Sequence, residues 1–204
     1  IKFDIGRIEG YRNFCNKIWN AARYVLMNCE NEDCGAQQES AVELSLADRW
    51  ITGKVQETAA EVARAFGNYR FDLASQALYE FIWNEYCDWY LELIKPVLQT
   101  PEHPDGASTR HTLVETLETT MRLLHPFMPF ITEEIWQTIP HQGDSIVVQN
   151  YPVSDQAWAA PDAEQQFALL ERTVGLVRTS RVLLNYSPGQ QIPFHVGHDD
   201  LDRQ

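Results

Sequence analysis

The stretch RIEGYRNFCNKIWNAARYVLM, Arg7 to Met27, decides how the rest of the chain is read. Wrapped on an α-helix it separates into two faces. Ile8, Tyr11, Phe14, Cys15, Ile18, Ala22 and Val25 form an apolar stripe, the face expected to pack. Asn13, Asn16, Lys17, Asn20, Arg23, Tyr24 and Met27 fall on the other side. A solvated face usually carries Glu and Lys. Asparagine is a poor helix former because its amide competes for backbone groups. Amides, cations and an aromatic ring on one ridge suit the reading and stacking of nucleotide bases. A polar helix surface that uses some asparagines for capping produces the same pattern, and the stretch by itself does not choose.

Working outward, the first helix is expected from about Gly6 to Cys29, ending in the polar loop ENEDCGAQQES. Ser45 with Asp48 three residues on makes a near capping box for a second helix. That helix carries Ile51, Val55, Ala59, Val62 and Phe66 at helical spacing, with Trp50 opening the stripe and Gly67 as a stop. Asp72 reads as the cap of a third helix, DLASQALYEFIWNEYCDWYLELIK, apolar nearly all the way round and therefore central. Pro96 kinks or ends it, and TPEHPDGAST reads as a loop. A fourth helix is expected from His111 to Leu124, broken by HPFMPF, with a short helix from Thr132 to Trp136. SIVVQNYP, Ser145 to Pro152, reads as extended, and Asp162 as the cap of a helix over 163–184 with Phe167, Leu170, Val174 and Val177 inward. NYSPGQQIPFHV then reads as a turn and the start of a strand. Long helices with short loops predict a mainly α fold, an antiparallel helix bundle over 1–143, with a small appended α+β tail over 144–204.

Composition sets bounds on function. The 204 residues, with six Trp, eight Tyr and nine Phe, are ample for a packed interior. No run of apolar residues is long enough to span a bilayer, so no membrane partner is expected. There is no signal peptide, and a cytoplasmic chain is expected; the first residue, Ile, suggests a piece of a longer one. A net charge of −13 argues against a nucleic-acid partner until its distribution is examined. Residues 1–28 hold Lys2, Arg7, Arg12, Lys17 and Arg23 against Asp4 and Glu9, a net +3, which leaves −16 for the remainder. A locally basic helix on an acidic body still binds phosphate, while the body limits nonspecific affinity.

No catalytic or metal-binding constellation emerges. Glu133 and Glu134 open a short helix, where acids favour the positive end of the dipole, and capping is the simpler role. The histidines are scattered without HExxH spacing, and His125, at a helix break, reads as a structural hydrogen bonder. There is no GxSxG, Walker loop or GxGxxG. Cys29 and Cys34 lack CxxC spacing and a nearby His, and Cys15 and Cys87 read as buried thiols. The run Tyr79, Phe81, Trp83, Tyr86, Trp89, Tyr90 reads as core, although Trp83 or Tyr86 could line a groove beside the first helix. Arg178 and Arg181 read as a solvated face.

Three blocks carry a resemblance: RNFCNKIWNAARYV (12–25), LYEFIWNEYCDWYLELIKP (78–96) and LLHPFMPFITEEIWQ (123–137). With LADRWI (46–51), they resemble the anticodon-binding domain of class I aminoacyl-tRNA synthetases, and within these the valyl-tRNA synthetase family. The resemblance covers roughly 3–150, and more loosely the remainder. It implies a helical bundle that holds the anticodon stem-loop of tRNA(Val) while a catalytic domain of the same chain, using ATP and Mg, charges the distant acceptor end. HIGH and KMSKS are absent, so no catalytic residue and no cofactor is expected within these residues. The implied roles are stacking for Tyr24, base or phosphate contacts for Arg23 and Asn20, and phosphate contacts for Lys17 and Arg12. Asn13 and Asn16 complete the ridge. Gly6 stands where some relatives place a basic residue. The family ends in a coiled-coil arm expected beyond Gln204, and its members are usually monomers. A helical docking module that meets protein rather than RNA is the competing reading.

Overall fold

The computed structural model describes residues 5–29, 34, 44–187 and 189–193. Among them every regular element is helical and no strand occurs. The elements are α1 (Ile5–Cys29), α2 (Leu46–Gly67), α3 (Phe71–Glu80), a π-helical segment (Phe81–Tyr90), α4 (Leu91–Leu93), α5 (Lys95–Gln99), α6 (Gly106–Leu124), α7 (Pro129–Trp136) and α8 (Pro161–Leu183). Short 3-10 turns lie at Ile146–Val148 and Gln156–Trp158. The chain divides into two compact units, Ile1–Phe167 and Ala168–Gln204.

Side-chain pairs give the bundle's directions. Phe14 meets Tyr79 (centroids 4.9 Å apart) and Lys17 meets Asp88, so α1 and the α3–π rod run parallel. Asp48, at the start of α2, meets Tyr90, and Phe66, at its end, meets Phe71, so α2 runs against that rod. Asp48 also meets Thr109 and Phe66 meets Phe127, so α6 runs with α2. In chain order α1, α2, the α3–π rod and α6 therefore alternate in direction, the expected antiparallel arrangement.

Local chemistry accounts for most boundaries. Ser45 caps α2, its Oγ accepting from the Asp48 N–H at 3.2 Å. Trp50, Ile51, Val55, Ala59 and Val62 are buried, and Phe66 is half-buried. The helix stops at Gly67, and the following turn holds Tyr69 at φ 55°, a left-handed conformation rare for an aromatic residue. Asp72 is not the cap of α3. Arg70 holds that place, and Asp72 sits in the first turn, gripped by the Arg70 guanidinium through Nε (2.9 Å) and Nη2 (2.8 Å). That grip holds the Asp72 carboxyl down to about 2.

Other expectations need correction. Gly106, Ala107, Ser108 and Thr109 belong to α6, because buried Ser108 and Thr109 face the core. The short helix after HPFMPF starts at Pro129 rather than Thr132, since proline suits a first helical position where no N–H is needed. Thr132 is buried one turn in, its Oγ1 donating to Met128 O (2.8 Å) and meeting His125 Nδ1 (2.8 Å), the structural role expected of that histidine. Glu133 does not cap; it accepts from Gln137 (2.9 Å) and Ser145 (3.0 Å). Ile146–Val148 is a 3-10 turn, not extended chain, with Ser145 Oγ capping it and Ile146 buried.

The first unit continues past residue 143 as far as Phe167, because Phe167 stacks on Trp50 (3.6 Å, 12°) and meets Trp89 edge-on (5.4 Å, 82°). Burial of two large rings on this contact explains why the chain from 144 to 167 is not an appendage. In the second unit Leu170, Val174 and Val177 are half-buried rather than inward, and Leu169, Leu176, Val182 and Leu183 are exposed. Arg181 Nη2 donates to Ser187 O (2.5 Å) and Gln190 O (2.9 Å), folding the chain back at the end of α8. The extended segments expected in the tail do not form over 145–152 or 189–193, and residues 194–196 lie outside the described ones.

Candidate nucleic-acid interface

The inner face of α1 buries Phe14, Ile18, Ala21, Ala22 and Val25, and Cys15 is half-buried. The expected stripe fails at its start: Ile8 is 47 % and Tyr11 65 % exposed. They point outward because the packed length of α1 begins at Phe14, where Tyr79 and Trp83 first provide a wall.

Opposite that face, Arg12, Asn16, Asn20, Arg23 and Met27 form one exposed row at the four- and three-residue steps of a helix. Asn13 is exposed at its edge, and Trp19 on the other edge is 42 % exposed. Lys17 and Tyr24 depart from the row. Seven residues apart, they occupy the flank beside the π segment and are half-buried. Burial, with a smaller contribution from Glu92, pushes the Tyr24 phenol above its ordinary value, so it is neutral at physiological pH. The structure thus brings five of the seven predicted site residues to open surface and sets the remaining two at its margin.

The wall of that margin is acidic and aromatic. Lys17 Nζ lies 2.5 Å from Asp88 Oδ1 and 3.9 Å from the Trp83 ring centroid. Trp83 stacks with Tyr79 (5.5 Å, 19°), and Tyr79 is 43 % exposed. Glu92 pairs with Lys95 at 2.5 Å. Trp83 therefore does line the side of α1, whereas Tyr86 is core, its hydroxyl donating to Leu113 O at 3.2 Å. Asp88, inside the block LYEFIWNEYCDWYLELIKP (78–96), is the partner that the sequence does not reveal. Helical periodicity gives no signal for a contact between residues 71 positions apart.

Elsewhere less is built for a ligand. Among the described residues no group of three His, Cys, Asp or Glu side chains is placed to hold a metal ion. Cys87 is held by burial at about 12, too high for a reactive thiol at neutral pH. A cavity of about 350 Å³ is lined by Gln56, Thr119, Arg122 and Tyr151, but Arg122 is engaged by Glu118 and by Asn150 O. Among the described residues no helix is long and apolar enough to cross a membrane.

Residues 48–196 match the family described as the anticodon-binding domain of tRNA ligase. The chain belongs to this family. It is also 45 % identical over 201 residues to the valine–tRNA ligase of Laribacter hongkongensis, covering 96 % of this chain and 22 % of that protein. Its identity to the valine–tRNA ligase of Neisseria meningitidis serogroup B is 46 % over 209 residues, covering 98 % of this chain and again 22 % of that protein. The chain thus spans about a fifth of the length of these relatives. A solved ternary complex of Agrobacterium radiobacter K84 LeuRS with tRNA and LeuAMS shares its fold, with a TM-score of 0.57 at 17 % identity, over 78 % of this chain and 18 % of that one. The family match begins at Asp48, so α1 of this anticodon-binding domain lies outside it, although the two curated relatives cover nearly the whole chain.

Proposed function

We propose that this anticodon-binding domain holds the anticodon stem-loop of tRNA(Val) and serves a valine–tRNA ligase. The observation that carries the reading is the exposed row Arg12, Asn16, Asn20, Arg23 on α1, a cationic and amide-bearing ridge on a chain of net charge −13. Asparagine amides offer both donors and acceptors to base edges, and arginine serves base edges or phosphates. Tyr24, neutral and half-open at the margin, offers a ring to one unstacked base. The acidic remainder of the molecule repels RNA that does not reach the ridge. In this reading valine activation, with ATP and Mg, belongs to a catalytic domain of the same chain, and the ligase works as a cytoplasmic monomer.

The test is a titration of the 204-residue chain with a tRNA(Val) anticodon stem-loop over a range of salt, beside loops with an altered anticodon. Binding should weaken steeply with salt and depend on the anticodon. Arg23→Gln should lower the slope of log K against log salt by roughly one. Tyr24→Ala should cost about 1–3 kcal/mol of binding. Binding that ignores both salt and anticodon would point instead to a protein-docking surface, whose affinity responds little to salt.

A further inference from the structure

Trp83 and Asp88 are five residues apart. In an α-helix five residues carry a side chain about 140° beyond a full turn, so the two would face different ways. The i→i+5 bonding of the π segment brings them onto one side instead, as it does for the stacked rings of Phe81 and Tyr86. That side faces α1, where the Lys17 ammonium lies 3.9 Å over the indole and 2.5 Å from the carboxylate. One turn earlier Phe14 stacks on Trp83 (6.5 Å, 18°). The Lys17 side chain retains 21 % exposure, while Arg12 and Arg23 stand open. We infer that Lys17 is a positioning residue rather than a phosphate ligand: gripped by Trp83 and Asp88, it fixes the rotation of α1 on the π segment and so aims the Asn16, Asn20, Arg23 ridge. The consequence for RNA rests on the function proposed above; the grip itself does not.

The two roles give opposite signs for one substitution. A phosphate-binding Lys17 would be released by Asp88→Asn, which would tighten stem-loop binding and steepen the salt slope by about 0.7–0.9. A positioning Lys17 loses its anchor. Binding by D88N should then weaken about two- to fivefold, the scale of a partly exposed ion pair, with the slope unchanged. Glu134→Gln, an exposed acid on α7, supplies the charge-matched reference. Lys17→Met should match D88N, the double variant should lose no more than either, and Lys17→Arg should recover most of the loss because guanidinium both stacks and pairs. Amide hydrogen exchange over residues 13–24, measured without RNA, should quicken equally in D88N and K17M and return toward wild type in K17R. Tighter binding by D88N, or unchanged exchange, would overturn the inference. If the wild type shows no salt-dependent binding at all, the RNA reading falls, and the exchange data still decide the role of Lys17.

Discussion

Two carboxylates tie neighbouring helices together, Asp48 in the interior and Asp88 at the surface. Asp48 is fully buried and accepts three hydroxyl hydrogen bonds, from Ser45 (2.7 Å), Tyr90 (2.7 Å) and Thr109 (2.8 Å). Its donors come from α2's own cap, the π segment and α6, so one side chain registers three elements. Asp88 is 51 % exposed and grips one cation. A buried acid needs every donor, because each unmatched polar group there carries its full desolvation cost. A surface pair is weakened by water and salt, contributes little to stability, and is open to a role in placing a binding ridge. The comparison separates what holds the bundle together from what orients its outer face.

The sharpest way to break it is Asp48→Ala. The Tyr90 and Thr109 hydroxyls would be left buried without an acceptor, and stability should fall by about 3–5 kcal/mol in urea unfolding. A loss below 1 kcal/mol would mean that the node is not structural. Alkaline pH probes the same node. Burial, and secondarily Asp48, hold the Tyr90 phenol well above its ordinary value near 10, and burial does the same for Tyr86. Between those values the unfolded chain binds fewer protons than the folded one. Stability is therefore full below pH 10 and falls as pH rises beyond it, by up to about 1.4 kcal/mol per pH unit for each tyrosine. Unfolding midpoints between pH 9 and 11.5 check the sign.

Tyr90→Phe removes one of the three donors and keeps the ring, so about 1–2 kcal/mol is expected in the same assay. Asp88→Asn should change stability by less than about 1 kcal/mol, even where it changes RNA binding. If its cost matched that of Asp48→Ala, the distinction between the two nodes would collapse. The smallest effect belongs to the exposed pair Arg70–Asp72 at the start of α3. Asp72 should titrate at about 2 by carbon-detected NMR, and Arg70→Gln should return it toward the ordinary carboxylate range. Its small stabilising effect is present above that ordinary range and lost as pH falls toward 2.

Particular residues show how far the sequence could be read. Ser45 acts through a hydroxyl that reaches only three residues along the chain, and Gly67 and the two prolines of HPFMPF through their own backbone geometry, so the ends of α2 and the break after α6 were legible. The exposed part of the candidate site was legible too, since Arg12, Asn16, Asn20 and Arg23 share a face through helical spacing alone. The burial of the site's margin was not. Ile8 and Tyr11 look as apolar as Phe14, and their exposure depends on where the wall of Tyr79 and Trp83 begins. Ten residues of π geometry look like α-helix in a sequence apolar nearly all the way round, because no polar stripe marks the change of pitch.

Local covalent preferences thus determined the helices, their order and the chemistry of the outer ridge. Only the tertiary structure decided that Asp48, besides its local pairing with Ser45, is the acceptor of a buried node with Tyr90 and Thr109. It likewise decided that Lys17 faces Asp88 and Trp83, and that Phe167 closes the first unit against Trp50. Those contacts join residues 42 to 117 positions apart, and such separations leave no trace in a periodicity that repeats within a few residues.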